Sequence, residues 1–127
     1  MDEIERISVP GAVPPAGHYS PATAWRDLVF VSGQLPVRPD GTHTADQPFE
    51  VQARQVLANL FAVLRAAGSS PERVLKVTVY IAGIGHWPEF NRLYAEAFGA
   101  AKPARAVVPV PELHHGYLVE VEAVAAR

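Results

Sequence analysis

A helical repeat of apolar residues, followed closely by a strict alternation of apolar and polar residues, is the feature that most limits the possible folds. Between Pro48 and Ala67, apolar side chains recur at steps of three and four residues, which predicts one helix with a single apolar stripe. The stripe consists of Ala53, Val56, Leu57, Leu60, Phe61, Leu64 and Ala67. Pro48 suits the first turn of that helix, and Gly68 suits its C-terminal cap.

The alternating segment runs from Val74 to Ile81 and predicts a strand with one packed face. On this interpretation the packed face carries Leu75, Val77, Val79 and Ile81, and the other face carries Lys76, Thr78 and Tyr80. A chain with this helix and this strand needs both a helical layer and a sheet layer.

The remaining segments predict five further strands and a second helix. The strands are an edge strand between Ile4 and Val9, a short strand Ala22 to Trp25, a strand Leu28 to Ser32 ended by Gly33, and two terminal strands, about Ala104 to Val110 and Tyr117 to Ala125. The second helix follows a break from Gly83 to Pro88 and is closed by Gly99. Its apolar residues at helical spacing are Phe90, Leu93, Tyr94, Ala97 and Phe98.

The predicted order is β-β-β-α-β-α-β-β, in which helices and strands do not alternate strictly. That order favours an α+β architecture with two helices packed on one face of a mostly antiparallel sheet. A length of 127 residues suits one domain that spans residues 1–127.

Composition excludes several classes of function. The net charge is −2, and the 11 lysines and arginines are scattered with no basic stripe, so a nucleic-acid interface is not supported. The absence of cysteine excludes disulfides, thiol catalysis and thiolate metal sites. We expect a soluble cytoplasmic protein, because no signal pattern and no apolar run of membrane-spanning length is present.

A single arginine interrupts the apolar run from Pro103 to Val110. The guanidinium of Arg105 stays charged at any working pH, and its planar fork fits a carboxylate. A surface arginine that snorkels from a strand end is the alternative. The functional interpretation is favoured because Glu120 places a carboxylate in a second apolar strand, Leu118 to Val124.

Six fragments together resemble the Rid family, also called YjgF-like or L-PSP proteins. The resemblance runs from about Pro10 to the C-terminus. The fragments are Gly17-His18-Tyr19-Ser20, Ser32-Gly33-Gln34, the helix with Gln52, Asn59 and Ala66-Ala67-Gly68, Val74 to Tyr80, Phe90-Asn91-Arg92-Leu93-Tyr94 with Pro103-Ala104-Arg105, and Val119 to Ala123.

The resemblance implies a chorismate-mutase-like fold that assembles as a homotrimer with active sites between subunits. For the branch that keeps the arginine, it implies hydrolysis of enamines and imines such as 2-aminoacrylate and 2-iminopropanoate to a 2-oxo acid and ammonia. It implies a deaminase that needs no cofactor and no metal.

The implied hydrolysis of an imino acid suggests a role for each candidate residue. Arg105 would bind the substrate carboxylate, and Glu120 would polarise the attacking water. Tyr19 would direct a hydroxyl to the substrate nitrogen, and Ser32 and Asn91 would complete the polar wall. The alternatives are a cover residue for Tyr19, a strand cap for Ser32 and a solvent-facing side chain for Asn91.

Other polar residues are not assigned to the site. Glu122 shares a face with Glu120, but a solvated or interface glutamate is the preferred interpretation. His114 and His115 are adjacent and point apart, and His18, His43 and His86 are isolated in turns, so no metal site is expected. Trp87 and Tyr94 are interpreted as packing residues.

Two further functions remain alternatives, and the substrate is open. One is a non-catalytic trimer that binds small carboxylates or regulates a partner. The other is the endoribonuclease or translation-inhibitor activity attached to the family's name, which the charge distribution disfavours. His18 and His114-His115 depart from the family pattern of proline and Pro-Lys, which leaves room for a pathway-specific imine.

Overall fold

One mixed sheet of six strands forms the frame of the protein, in a computed structural model that describes residues 3–127. The strands lie in the order β1-β2-β3-β6-β4-β5, and β4 and β5 are parallel while the other neighbours are antiparallel. Their bounds are Glu5–Ile7 (β1), Ala22–Trp25 (β2), Leu28–Gln34 (β3), Val74–Ala82 (β4), Ala104–Val110 (β5) and Val119–Ala126 (β6).

Two α-helices lie on one face of this sheet, α1 at Phe49–Ala66 and α2 at Trp87–Phe98. Pro48 occupies the N-cap of α1, and Gly68 follows its end with a φ of 80°, a conformation that glycine adopts without strain. Short 3₁₀ turns precede β4, α2 and β6, at Pro71–Arg73, Ile84–His86 and His114–Gly116. The single domain with two helices on a sheet agrees with the predicted α+β class.

The core lies between the helices and the inner face of the sheet. The strands contribute mainly small and β-branched side chains to it, among them Val29, Val77, Val79, Val119 and Val121. From the helices, Val56, Leu60, Leu64, Phe90 and Leu93 pack against them. Because β-branched residues fit a pleated surface and leucines fit helix faces, each layer is built from residues that favour its own geometry.

The opposite face of the sheet has no covering layer within residues 3–127. It carries the polar side chains Thr78, Tyr80, Glu120 and Glu122, which alternate with the core residues along β4 and β6. Trp25, Phe30 and Val108 are large apolar residues exposed on this same face. We call it the open face.

Three details of the predicted elements were wrong. Gly33 does not end β3, because the strand continues to Gln34 through a register shift. Leu75 is 50% exposed, because a register irregularity between Val74 and Lys76 turns Val74 to the core instead. The helix α2 begins at Trp87, inside the segment predicted as a break.

Within residues 3–127, neither helix has the length and apolar character needed to cross a bilayer.

Candidate active site

The guanidinium of Arg105 is held by three side chains of α2. Its central carbon lies 4.7 Å from the ring centroid of Trp87 and 4.7 Å from that of Tyr94. Its Nη1 donates a hydrogen bond to Asn91 Oδ1 at 3.2 Å. Trp87, Asn91 and Tyr94 follow one another at steps of four and three residues, so they share one face of the helix. The α2 helix therefore fixes the position of the charge.

This arrangement differs from a snorkelling surface arginine. Arg105 is exposed, yet its charged group lies against two aromatic faces, and each such contact contributes about 0.5–1 kcal/mol at an exposed site. Burial raises the pKa of the Tyr94 phenol to about 12, and the charge of Arg105 acts in the opposite direction. Tyr94 therefore stays neutral at working pH. Its buried hydroxyl has no hydrogen-bond partner among residues 3–127.

Glu120 lies half-buried on the open face, where β6 places it opposite Tyr80 of β4. Burial raises the pKa of the Glu120 carboxyl above its ordinary value. The electrostatic effect of His114 lowers this pKa, and that of Glu122 raises it further. A carboxylate with a raised pKa is a stronger proton acceptor than an ordinary surface glutamate. Glu120 is thus a half-buried carboxylate that binds a proton more readily than an ordinary surface glutamate.

A β-bulge in β3 faces Glu120. Val31 aligns with Ala123 and Gln34 with Val121, so Ser32 and Gly33 together oppose one residue of β6. A Cβ added to Gly33 would collide with Glu120 Oε2. A side chain at this position would therefore force the Glu120 carboxylate to move. The sequence did not indicate this contact, because Ser32-Gly33 was interpreted as the end of the strand.

Ser32 connects the bulge to the segment that carries Tyr19. Its Oγ donates to Ser20 O at 2.6 Å, and its backbone N–H donates to Pro21 O at 3.0 Å. The ring of Tyr19 packs close to Gly17, and the side chain is 57% exposed. Ser32 therefore anchors the loop that carries the exposed side chain of Tyr19.

The predicted site residues form two groups on opposite faces of the sheet. Arg105 aligns with Val77, whose side chain is in the core, so Arg105 points to the helical side. Glu120 aligns with Tyr80 and points to the open face. The structure brings Arg105 together with Asn91, and Glu120 together with the Ser32-Gly33 bulge. It does not bring Arg105 and Glu120 together within one chain.

Glu122 has its own partner on the open face. The hydroxyl of Tyr80 donates a hydrogen bond to Glu122 Oε1, and this bond is the main cause that raises the pKa of the Tyr80 phenol. Glu122 shares its face with Glu120, as the alternation of β6 predicted. Its carboxylate is thus engaged in a contact between strands.

Two histidines are less isolated than predicted. His43 Nδ1 lies 2.7 Å from the hydroxyl of buried Tyr117, and its ring is 4.5 Å from that of His115. His86 stacks on Phe49 with ring centroids 4.4 Å apart. Within residues 3–127, no group of three or more histidine or acidic side chains is arranged to hold a metal ion.

The sequence matches the Endoribonuclease L-PSP family over residues 10–127. The chain belongs to this family. An L-PSP chain described as a RutC family protein from Pyrococcus horikoshii is 40% identical over 123 residues, which cover 97% of this chain and 98% of the relative. The resemblance found in the sequence is thereby confirmed.

Solved structures agree with the L-PSP fold of this chain. The Rid family protein YyfA from Yersinia pestis has a TM-score of 0.93 at 35% identity, and the match covers 98% of this chain and 100% of that one. TdcF from E. coli, solved with bound serine, has a TM-score of 0.89 at 31% identity, with coverage of 97% and 98%. One of these L-PSP relatives therefore binds a small amino acid.

Proposed function

We propose that this L-PSP protein is an imine and enamine deaminase, which hydrolyses 2-iminopropanoate and its 2-aminoacrylate tautomer to a 2-oxo acid and ammonia. The observation that carries the proposal is Glu120, a half-buried carboxyl whose pKa is raised. A protein that only bound carboxylates would need Arg105 but no such proton acceptor. The residues therefore favour hydrolysis over binding alone.

The reaction needs an anchor, a base and water. Arg105 binds the substrate carboxylate through its planar fork and leaves the imine carbon accessible. Glu120 accepts a proton from water as the water oxygen forms a bond to that carbon. Glu120 passes that proton to the nitrogen as the C=N π bond breaks, which gives a carbinolamine. The carbinolamine hydroxyl then gives its own proton to Glu120, which passes it to the amine nitrogen. The C–N bond breaks, ammonia leaves, and the carbon becomes the carbonyl of the 2-oxo acid. The Tyr19 hydroxyl contacts the nitrogen, and Ser32 and Asn91 position the polar groups.

The complete site forms between subunits of a homotrimer in this proposal. Arg105 and Glu120 lie on opposite faces of one sheet, so they meet only if the Arg105 group of one subunit approaches the Glu120 group of the next. Such a contact joins two different surfaces, and three copies close it into a ring. The exposed Trp25, Phe30 and Val108 on the open face supply apolar area for that association.

The bound serine of E. coli TdcF supports a small ligand with a carboxylate. Serine is also the amino acid from which a pyridoxal-phosphate dehydratase releases 2-aminoacrylate. A site of this kind would therefore receive its substrate from a dehydratase or from another enzyme that releases an imine.

The test couples a serine dehydratase to the protein and follows the decay of transient 2-aminoacrylate. We expect the native chain to accelerate the decay and Arg105→Ala to lose the acceleration. Arg92→Ala is the control, because Arg92 is an exposed arginine of α2 paired with Glu96 at 3.2 Å. No acceleration by the native chain would overturn the proposal.

A second arm separates hydrolysis from binding. We expect Glu120→Ala to retain binding of a small 2-oxo acid, measured by calorimetry, and to lose turnover. Full turnover by Glu120→Ala would remove Glu120 from the mechanism.

A further inference from the structure

A cleft of about 730 Å³ opens beside the bulge that contacts Glu120. The cleft is lined by the segment 8–16 after β1, by α1 and the loop that precedes it, and by Tyr19 and Gly33. Gly33 is the link to the proposed site: it lines the cleft, and a Cβ on it would meet the carboxylate of Glu120, which itself does not line the cleft.

The walls of the cleft offer mainly apolar surface. Val13 and Pro14 of the segment after β1, and Ala62 and Val63 of α1, are among its lining residues. Two amides also line it, but both are engaged within the protein: Asn59 Nδ2 donates to Leu35 O and Val37 O, and Gln34 Nε2 donates to Ser32 O. Ser8, Arg38, His43 and His115 also line the cleft, so a ligand there meets mainly apolar walls with these polar side chains among them.

The size of the cleft exceeds the needs of a three-carbon substrate. Volumes of about 300–1,000 Å³ accommodate drug-sized ligands, and pockets of this kind are lined mostly by apolar side chains. An imino acid with a methyl side chain would leave most of the cleft to water. A branched or aromatic side chain would displace that water and gain the free energy of apolar burial.

We propose that the cleft receives the substrate side chain, so that the enzyme prefers 2-imino acids with bulky apolar side chains. The inference rests on the proposed deaminase function. With the imine carbon beside Glu120, the side chain passes Gly33 and Tyr19 and lies between Val13 and Ala62. The hydrolysis is unchanged: water adds to the imine carbon and ammonia leaves.

The test generates imines from leucine, phenylalanine and alanine with a flavin-dependent amino-acid oxidase, in the presence of catalase. Semicarbazide traps the imine that remains, so that lower semicarbazone formation measures hydrolysis by the protein. We expect kcat/KM to be at least about tenfold higher for the leucine- and phenylalanine-derived imines than for the alanine-derived imine.

Two variants fill the cleft from opposite walls. Ala62→Phe fills it from α1, and Val13→Trp fills it from an exposed loop position where a larger side chain does not disturb the core. We expect both variants to lose the preference for bulky imines and to keep the rate on the alanine-derived imine. Ala58→Phe is the control, because Ala58 is exposed on α1 one turn before Ala62 and does not line the cleft.

The possible outcomes test the preference for bulky imines separately from the proposed deaminase activity. Equal or lower kcat/KM for bulky imines, with the alanine-derived imine hydrolysed, would overturn the inference and leave the deaminase standing. An equal loss on all imines in folded Val13→Trp would also overturn it. Hydrolysis of no imine would overturn both the function and the inference.

Discussion

Arg105 and Glu120 project from opposite faces of one sheet, because their register partners on β4, Val77 and Tyr80, are an odd number of residues apart. The arginine is held against α2 on the helical side, and the carboxylate lies on the open face beside the β3 bulge. A single chain therefore carries two separate halves of the proposed site. In the proposed homotrimer, each subunit would contribute its Arg105 to a site shared with one neighbour and its Glu120 to a site shared with the other neighbour.

This separation predicts complementation between two inactive variants. Arg105→Ala and Glu120→Ala should each lack imine hydrolysis, while an equal mixture, unfolded and refolded together, should regain activity. With random assembly into closed rings, about one quarter of the sites would combine an intact Arg105 with an intact Glu120. Activity of the co-refolded mixture, compared with the same proteins mixed after refolding, measures the effect.

Two results would contradict the shared site. The first is a sedimentation mass of one subunit at assay concentration. The second is an absence of recovery in mixtures shown by mass spectrometry to contain both variants in one oligomer.

Gly33→Ala is predicted to damage the site without unfolding the protein. The added Cβ would occupy the position of Glu120 Oε2, so the carboxylate must turn away from the bulge. We expect kcat to fall by about tenfold or more, since small displacements of a catalytic group have effects of this size. Gly85→Ala is the matched control, because a Cβ there meets nothing within 4 Å and its φ is not positive.

The outcome for Gly33→Ala is read from kinetics and thermal unfolding together. Activity equal to that of Gly85→Ala would show that close contact between Gly33 and Glu120 is not needed.

The sequence was sufficient for the α+β class, and it singled out the two charged residues on which the proposed site rests. Arg105 and Glu120 stand out because each interrupts an apolar strand, and a charge in such a strand has few structural uses. The apolar stripe of α1 and the alternation in β4 are local patterns, so they can be recognised in the sequence without knowledge of the tertiary contacts.

Other features depend on contacts that no local pattern contains. The role of Trp87 follows from the position of α2 above β5, and Trp87 alone predicts only packing. The bulge at Ser32-Gly33 and the exposure of Leu75 arise from register shifts between strands, and a shift of one residue reverses the face of every side chain beyond it. The separation of Arg105 from Glu120 likewise required the sheet order.

Trp87→Leu is predicted to weaken substrate binding through Arg105. The leucine lacks the aromatic face that lies 4.7 Å from the guanidinium carbon, so the fork loses one of its two aromatic contacts. We expect KM to rise about fivefold with little change in kcat, because the substrate carboxylate is bound equally in the ground state and the transition state.

Trp87→Phe serves as the control for that experiment, since it retains an aromatic face. Its KM should lie close to that of the native chain. A fall in kcat without a change in KM for Trp87→Leu would assign Trp87 to the chemical step or to folding instead.

The acid limb of the pH profile is predicted to report Glu120. The residue acts as a base only when deprotonated, and because burial raises its pKa, kcat/KM should begin to fall at a higher pH than for an ordinary glutamate. Glu122→Gln removes a negative neighbour and lowers the pKa of Glu120, so the limb should move to lower pH. His114→Asn removes a positive neighbour, so the limb should move to higher pH wherever His114 is protonated.

Because the two variants should shift the acid limb in opposite directions, their comparison tests whether Glu120 is the titrating base. The ionisation of the imine itself is common to all variants, so a difference between variants isolates the protein group. Glu112→Gln is the control, since Glu112 is an exposed glutamate in the segment before β6 and is not among the charges that act on Glu120. If Glu122→Gln and His114→Asn move the limb in the same direction, or leave it in place, the titrating base is a group other than Glu120.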